Sequence, residues 1–105
     1  MEYKEVFEQI MEKANGMVGE VAYRQADQVE GVNVSQDGEV EGEIGGKQVR
    51  ELVEKYSDIM GEGGYGVVRQ SIKEIYDEDQ SIAQLELPDE VTPKEVRASQ
   101  FASAL

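Results

Sequence analysis

The spacing of apolar residues near the N-terminus constrains the fold more than any other feature of the sequence. Between residues 3 and 29, apolar side chains recur at intervals of three and four, which places them along one side of a helix. Gly16 and Gly19 interrupt the pattern, each at a cost of about 1 kcal/mol relative to Ala. The spacing predicts one long N-terminal helix with two weak points. The stripe consists of Tyr3, Val6, Phe7, Ile10, Met11, Ala14, Met17, Val18, Val21, Ala22 and Val29.

Two short stretches after this helix alternate apolar and polar residues. Val32 and Val34 belong to the first, and Val40 and Ile44 to the second. Between them Gly38 can take the positive φ that closes a short loop, so the segment predicts a β-hairpin. Three acidic side chains then share the other face of the second strand, where like charges favour water between them: Glu39, Glu41 and Glu43.

The second half of the chain predicts two more helices and a strand. Residues 47–60 have apolar side chains at helical spacing. Residues 65–76 fit either a helix or a strand, and we favour the helix. In 82–88, Ala83, Leu85 and Leu87 alternate with other residues, which predicts a late strand.

A last helix is predicted to begin after Thr92. Thr92, Pro93 and Glu95 have the spacing of an N-cap, a first-turn proline and the third residue of a capping box. The fold class expected from these elements is α+β: a long N-terminal helix, a β-hairpin, one or two central helices, a late strand and a C-terminal helix. We expect a single small acidic domain over 1–105, in which 88–105 could be a detachable C-terminal helix.

Acidic residues greatly outnumber basic ones. The chain has 23 Asp and Glu against 10 Lys and Arg, a formal net charge of −13. Such a charge repels nucleic acid and anionic membrane surfaces, so neither is expected as a partner. Concentrated salt would screen this self-repulsion. We therefore expect a salt-adapted, halophilic protein, and an acidic protein from an ordinary salt environment is the alternative.

The absence of Cys and His excludes many kinds of active site. Without Cys there is no disulfide, thiolate nucleophile or zinc–sulfur site. Without His the usual neutral general base and most transition-metal sites are missing. No stretch approaches the roughly 20 apolar residues that span a membrane, and the charged N-terminus does not resemble a signal peptide. We expect a cytoplasmic protein with no cofactor and no catalytic residues.

The segment Gly61–Gly66 contains the spacing G-x-G-x-x-G. In dinucleotide-binding folds this motif follows a strand and opens a helix, whereas here it follows a predicted helix. Glycine after the last apolar residue of a helix is typical of a C-cap, so we predict a cap and turn over 61–66. The alternative is a small-ligand- or nucleotide-binding regulatory domain, or an enzyme. Its candidate residues would be Gly61, Gly63, Gly66, Tyr65 and Arg69.

Asp77, Asp79 and Ser81 match the first three alternating positions of a calcium loop. The sixth position should be Gly and is Ile82, and the twelfth should be Glu and is Pro88. The three residues are therefore candidates for an exposed cation contact, and an EF-hand is not supported.

The remaining candidates form an interaction surface. Phe101 and Leu105 lie on one edge of the C-terminal helix, and the stripe of the first helix could serve the core or a second chain. We predict a small non-catalytic protein-interaction or regulatory module that forms a homodimer or binds a protein partner. The interaction residues expected on the first helix are Phe7, Ile10, Met17 and Val21.

Overall fold

A computed structural model describes the backbone of residues 1–104 and the side chains of residues 1–101. It is mostly helical, at 70%, with one small antiparallel sheet, so the fold is α+β in the broad sense only. The elements are α1 (Tyr3–Val18), α2 (Val21–Asp27), β1 (Asn33–Val34), β2 (Val40–Glu41), α3 (Gly46–Met60), α4 (Glu62–Glu78), two 3₁₀ helices (Gln80–Gln84 and Asp89–Val91) and α5 (Lys94–Ala104).

The predicted long N-terminal helix is two helices. Gly19 ends α1 with φ +79°, and its N–H bonds to the Asn15 carbonyl at 2.9 Å. Only glycine enters this region of backbone space without strain. The chain therefore changes direction between α1 and α2, although the apolar spacing continues across the break.

The predicted hairpin is present with very short strands. Asn33 pairs with Glu41 and Val34 with Val40. The Asp27 carboxylate accepts a hydrogen bond from the Val34 N–H at 2.8 Å, which ties the hairpin to the end of α2. A two-stranded sheet with so few hydrogen bonds contributes little stability, so the fold depends mainly on helix packing.

Helices α3 and α4 are joined only by Gly61 and pack against each other. This glycine has φ +61°, and its N–H bonds to the Ser57 carbonyl at 2.7 Å. The predicted turn over 61–66 is therefore wrong in extent, because Gly63, Gly64 and Gly66 belong to α4. The short connection requires close packing: a methyl group built on Gly64 would lie 2.7 Å from the Tyr56 carbonyl carbon and oxygen.

The late strand predicted around Ala83, Leu85 and Leu87 is wrong. Residues Gln80–Gln84 form a 3₁₀ helix, which the Asp79 carboxylate caps by accepting from the Ser81 N–H at 3.0 Å. Only Ala83 of the three lies in this helix, and Leu85 and Leu87 follow it. Alternation over three residues does not establish a strand, because a strand also needs a partner to pair with. The described residues contain no third strand beside β1 and β2.

The C-terminal helix begins without the predicted cap. The Thr92 hydroxyl donates to the Pro88 carbonyl at 2.7 Å, toward the preceding 3₁₀ helix. The first turn of α5 is closed by the Arg97 N–H, which bonds to the Pro93 carbonyl at 3.0 Å. Val96 is fully buried, so this end of α5 packs against the core.

One apolar core lies between α1, α3 and α4 and continues under α2 and the 3₁₀ helices. Tyr56 is its largest side chain, and its hydroxyl donates to the Ala22 carbonyl at 3.1 Å. Among the described residues, no buried side-chain polar atom lacks a hydrogen-bond partner. The core of the described residues therefore contains no unpaired polar side-chain atom that could bind a ligand, and a functional site must be sought on the surface.

Candidate functional site

The interaction residues predicted on the first helix divide between core and surface. Phe7 and Ile10 are fully buried, so they stabilise the domain itself and are not accessible to another chain in this fold. Val21 is half-buried at the start of α2. Met17, near the end of α1, is 45% exposed. The helical stripe therefore serves the core over most of its length.

Phe101 on α5 is the most exposed large apolar side chain among the described residues, at 68%. Ala98, one turn earlier on the same edge, is also exposed. Val96 points the other way and is fully buried. Helix α5 thus has one face that packs on the domain and one apolar edge that the domain leaves uncovered. Leu105, predicted on the same edge, lies outside the described residues.

Polar contacts fix the orientation of α5. The Gln100 side chain donates from Nε2 to the Leu85 carbonyl at 2.9 Å. Arg97 pairs with Asp89 at 3.2 Å, although both side chains are exposed, and such a pair contributes little. Gln100 faces Leu85 on the domain side of α5. The adjacent Phe101 lies on a different side of the helix and is exposed to solvent.

A surface groove of about 470 Å³ lies beside α5, and Gln100 forms part of its wall. Its apolar lining is Ala83, Leu85 and Leu87, all half-buried. Its rim carries more acidic than basic groups: Arg50, Glu86 and Asp89. The groove is therefore mixed in character, with three apolar residues among polar and charged ones, as is common where a surface contacts another protein chain.

The charge of α5 is opposite in sign to that of the rest of the chain. Residues 94–104 contain two basic side chains and one acidic one, whereas residues 1–93 contain eight basic and 22 acidic ones. A weakly positive helix lies on a strongly negative body. Charge alone therefore favours contact between α5 of one molecule and the body of another over contact between two bodies.

The glycine-rich segment does not form a phosphate-binding loop. Gly61 ends α3, and Gly63 and Gly66 lie in the first turns of α4, so the segment joins two helices instead of following a strand. Tyr65 is half-buried against the core. Arg69 lies on the exposed side of α4 and donates through its guanidinium to the Glu90 carbonyl.

The predicted cation residues have structural contacts in this fold. Asp79 caps the first 3₁₀ helix, and its hydrogen bonds with Ser81 lower the pKa of the Asp79 carboxyl. The Ser81 hydroxyl accepts from the N-terminal ammonium of Met1 at 3.1 Å. Asp77 is exposed on the last turn of α4. Within residues 1–101, no cluster of three or more acidic side chains is arranged to hold a metal ion.

The sequence predicts Phe101 as an interaction residue, but it gives no indication of the groove that Gln100 lines. The groove forms only because the 80–84 segment is a 3₁₀ helix that brings Leu85 and Leu87 alongside α5. Their alternating spacing was the available signal, and it suggested a strand.

No known family model, curated protein or solved structure matches the chain. Among the described helices, none is long and apolar enough to cross a bilayer. Function must therefore be inferred from the surface of this chain alone.

Proposed function

We propose that this protein is a small non-catalytic interaction module that associates with a second copy of itself through α5. The observation that carries the proposal is the 68% exposure of Phe101 on a helix whose opposite face is buried. An aromatic side chain held in water by a fixed helix is costly to the free monomer and is a typical anchor of an interface.

The second copy is the favoured partner because α5 carries both the exposed Phe101 and Gln100, which lines the groove. In a two-fold dimer, each molecule contributes the same patch, and residue i of one contacts residue j of the other. Phe101 of one molecule would enter the groove lined by Leu85 and Leu87 in its partner, and the reverse contact would form by symmetry. Arg97 would approach the acidic rim that contains Glu86.

A regulatory role and salt adaptation belong to the same proposal. Exposed acidic side chains such as Glu39, Glu41 and Glu43 surround the short sheet, and salt would reduce their repulsion. Nucleic acid and anionic membranes remain unfavoured partners on the basis of charge. The cytoplasmic location expected from the sequence stays a prediction.

Ligand or nucleotide binding at Gly61–Gly66 has less support. The amide groups of Gly63 and Gly64 are at the start of a helix that directly follows another helix. Glu62 places a negative charge in the same turn, where it would repel a phosphate group.

Substitution of the anchor tests the proposed interface. Phe101→Ser should weaken self-association at least tenfold, as expected for an aromatic hot spot, whereas Phe101→Leu should retain most of it. Ile59→Ser is the matched control, since Ile59 is an exposed apolar residue on α3. Sedimentation equilibrium gives the dissociation constants of the wild type and the three variants. Equal association of the serine variant and the wild type would exclude α5 as the interface.

A further inference from the structure

A second groove, of about 370 Å³, lies where α4 meets the start of α5. Gly66, Arg69, Gln70 and Lys73 of α4 form one wall. Their spacing of i, i+3, i+4 and i+7 places them along one side of the helix. The other wall is the segment Pro93–Glu95.

This groove concentrates positive charge in a chain that has little of it. Arg69, Lys73 and Lys94 line it, which is three of the ten basic side chains of the protein, and Glu95 is its one acidic lining residue. Within residues 1–101, neither Lys73 nor Lys94 takes part in an ion pair. Both ammonium groups therefore remain able to neutralise a ligand.

Arg69 is held in place at the groove. Its guanidinium donates to the Glu90 carbonyl, which fixes the side chain across the gap between α4 and the second 3₁₀ helix. Because a guanidinium has five N–H donors, this bond leaves others free. Such a group binds the oxygens of a carboxylate or phosphate in pairs.

Gly66 keeps the groove open. A methyl group built on it would meet nothing within 4 Å, and its φ is not positive. Neither close packing nor backbone conformation therefore requires glycine here, although glycine weakens a helix interior. Any larger side chain at this position would project from the α4 wall into the groove.

We propose that this groove binds a small anion that carries a phosphate or carboxylate group. The volume is at the lower end of that of known ligand sites, which suits a compact molecule. The net charge of −13 does not prevent binding, because at physiological salt charges are screened beyond about 8 Å. The electrostatic energy of a bound anion would therefore depend mainly on the three basic side chains around it.

Titration of the intact protein with inorganic phosphate, phenyl phosphate and benzoate tests this site, with neutral benzamide as the control ligand. Backbone amide chemical shifts report the position of binding, and ionic strength is held constant. We expect concentration-dependent shifts at Gly66, Gln70 and Lys94 with at least one anion and none with benzamide. Shifts with both phosphate compounds but not benzoate would assign the site to phosphate, and the reverse would assign it to carboxylate.

Variants separate a specific site from general attraction. Gly66→Leu should weaken anion binding at least tenfold while the melting temperature stays equal to that of the wild type or rises. Lys73→Gln should also weaken binding, and Lys47→Gln, on the exposed start of α3, should not. Absence of anion-induced shifts at the groove, or equal losses in the Lys73 and Lys47 variants, would overturn the proposal.

Discussion

Two neighbouring glycines in the first turn of α4 allow the effect of helix propensity on stability to be measured separately from that of close packing. Gly64 is buried against the backbone of Tyr56, whereas a methyl group at Gly63 would meet nothing within 4 Å. Gly64→Ala should therefore lower the free energy of unfolding by about 1–3 kcal/mol, the usual cost of overpacking. Gly63→Ala, its matched control, should raise it by about 0.5–1 kcal/mol. Urea unfolding measures both, and a stable Gly64→Ala protein would contradict the close packing of α3 on α4.

Tyr56 makes stability depend on pH in the alkaline range. Burial raises the pKa of the Tyr56 hydroxyl above its ordinary value of 10.0, and Tyr23 adds to the effect. Above that value the unfolded chain loses the proton while the folded protein retains it, so stability falls as pH rises, by up to about 1.4 kcal/mol per pH unit.

Tyr56→Phe should remove this contribution to the slope. It should also cost about 1 kcal/mol at neutral pH, because the hydrogen bond to the Ala22 carbonyl is lost. Melting temperatures measured from pH 7 upward compare the two proteins. Identical alkaline slopes would show that Tyr56 does not titrate differently in the folded and unfolded states.

Individual residues also show how far the sequence could identify the site. Phe101 was predicted as an interaction residue, and it is exposed. The sequence predicts Phe7 and Ile10 as interaction residues as well, but both are buried. An amphipathic stripe looks the same whether it faces its own core or another chain, so spacing alone could not separate them.

At the level of elements, α5 has one face that packs on the domain and one that is exposed to solvent. Val96 is fully buried and Phe101 is mostly exposed. Val96→Ala should lower the free energy of unfolding by about 1.5–3 kcal/mol, because two methyl groups and their packing are lost. Phe101→Ala should leave the stability of the dilute monomer within about 0.5 kcal/mol of the wild type. Thermal unfolding at low protein concentration distinguishes the two, and a large loss for Phe101→Ala would mean that this edge packs on its own domain.

The elements that the sequence predicted well are those determined by long local periodicity. The helix predicted for 47–60 is present as Gly46–Met60, and the favoured helix at 65–76 is part of α4. The predictions of a late strand and of a single N-terminal helix are wrong for different reasons. A strand depends on a distant partner, whereas the break at Gly19 depends on one backbone angle that an unbroken apolar spacing conceals.

The groove between α4 and the start of α5 was also not predictable from sequence patterns. The stripe of Gly66, Arg69 and Lys73 is visible as helical spacing once 65–76 is taken as a helix. Its opposite wall at Lys94 comes from a segment about 20 residues later, and only the tertiary fold brings the two together.

The acidity of the whole molecule predicts a strong response to salt if it reflects salt adaptation. Raising KCl from 0.1 to about 2 M should increase the melting temperature, since the repulsion among acidic side chains is screened. Replacing Glu39, Glu41 and Glu43 with Gln should reduce this increase, because all three are exposed on one short segment. A melting temperature that does not change with KCl would reject salt adaptation as the origin of the charge.

The molar mass of the wild-type protein in solution tests the proposed self-association most directly. Light scattering at about 100 μM protein should give roughly twice the chain mass of 11.7 kDa, because a dimer of micromolar affinity persists at that concentration. The mass should fall toward that of a single chain on dilution, and Phe101→Ser should show the single-chain mass throughout. A wild-type protein that has the mass of one chain at about 100 μM would contradict the proposal that α5 joins two copies of this module.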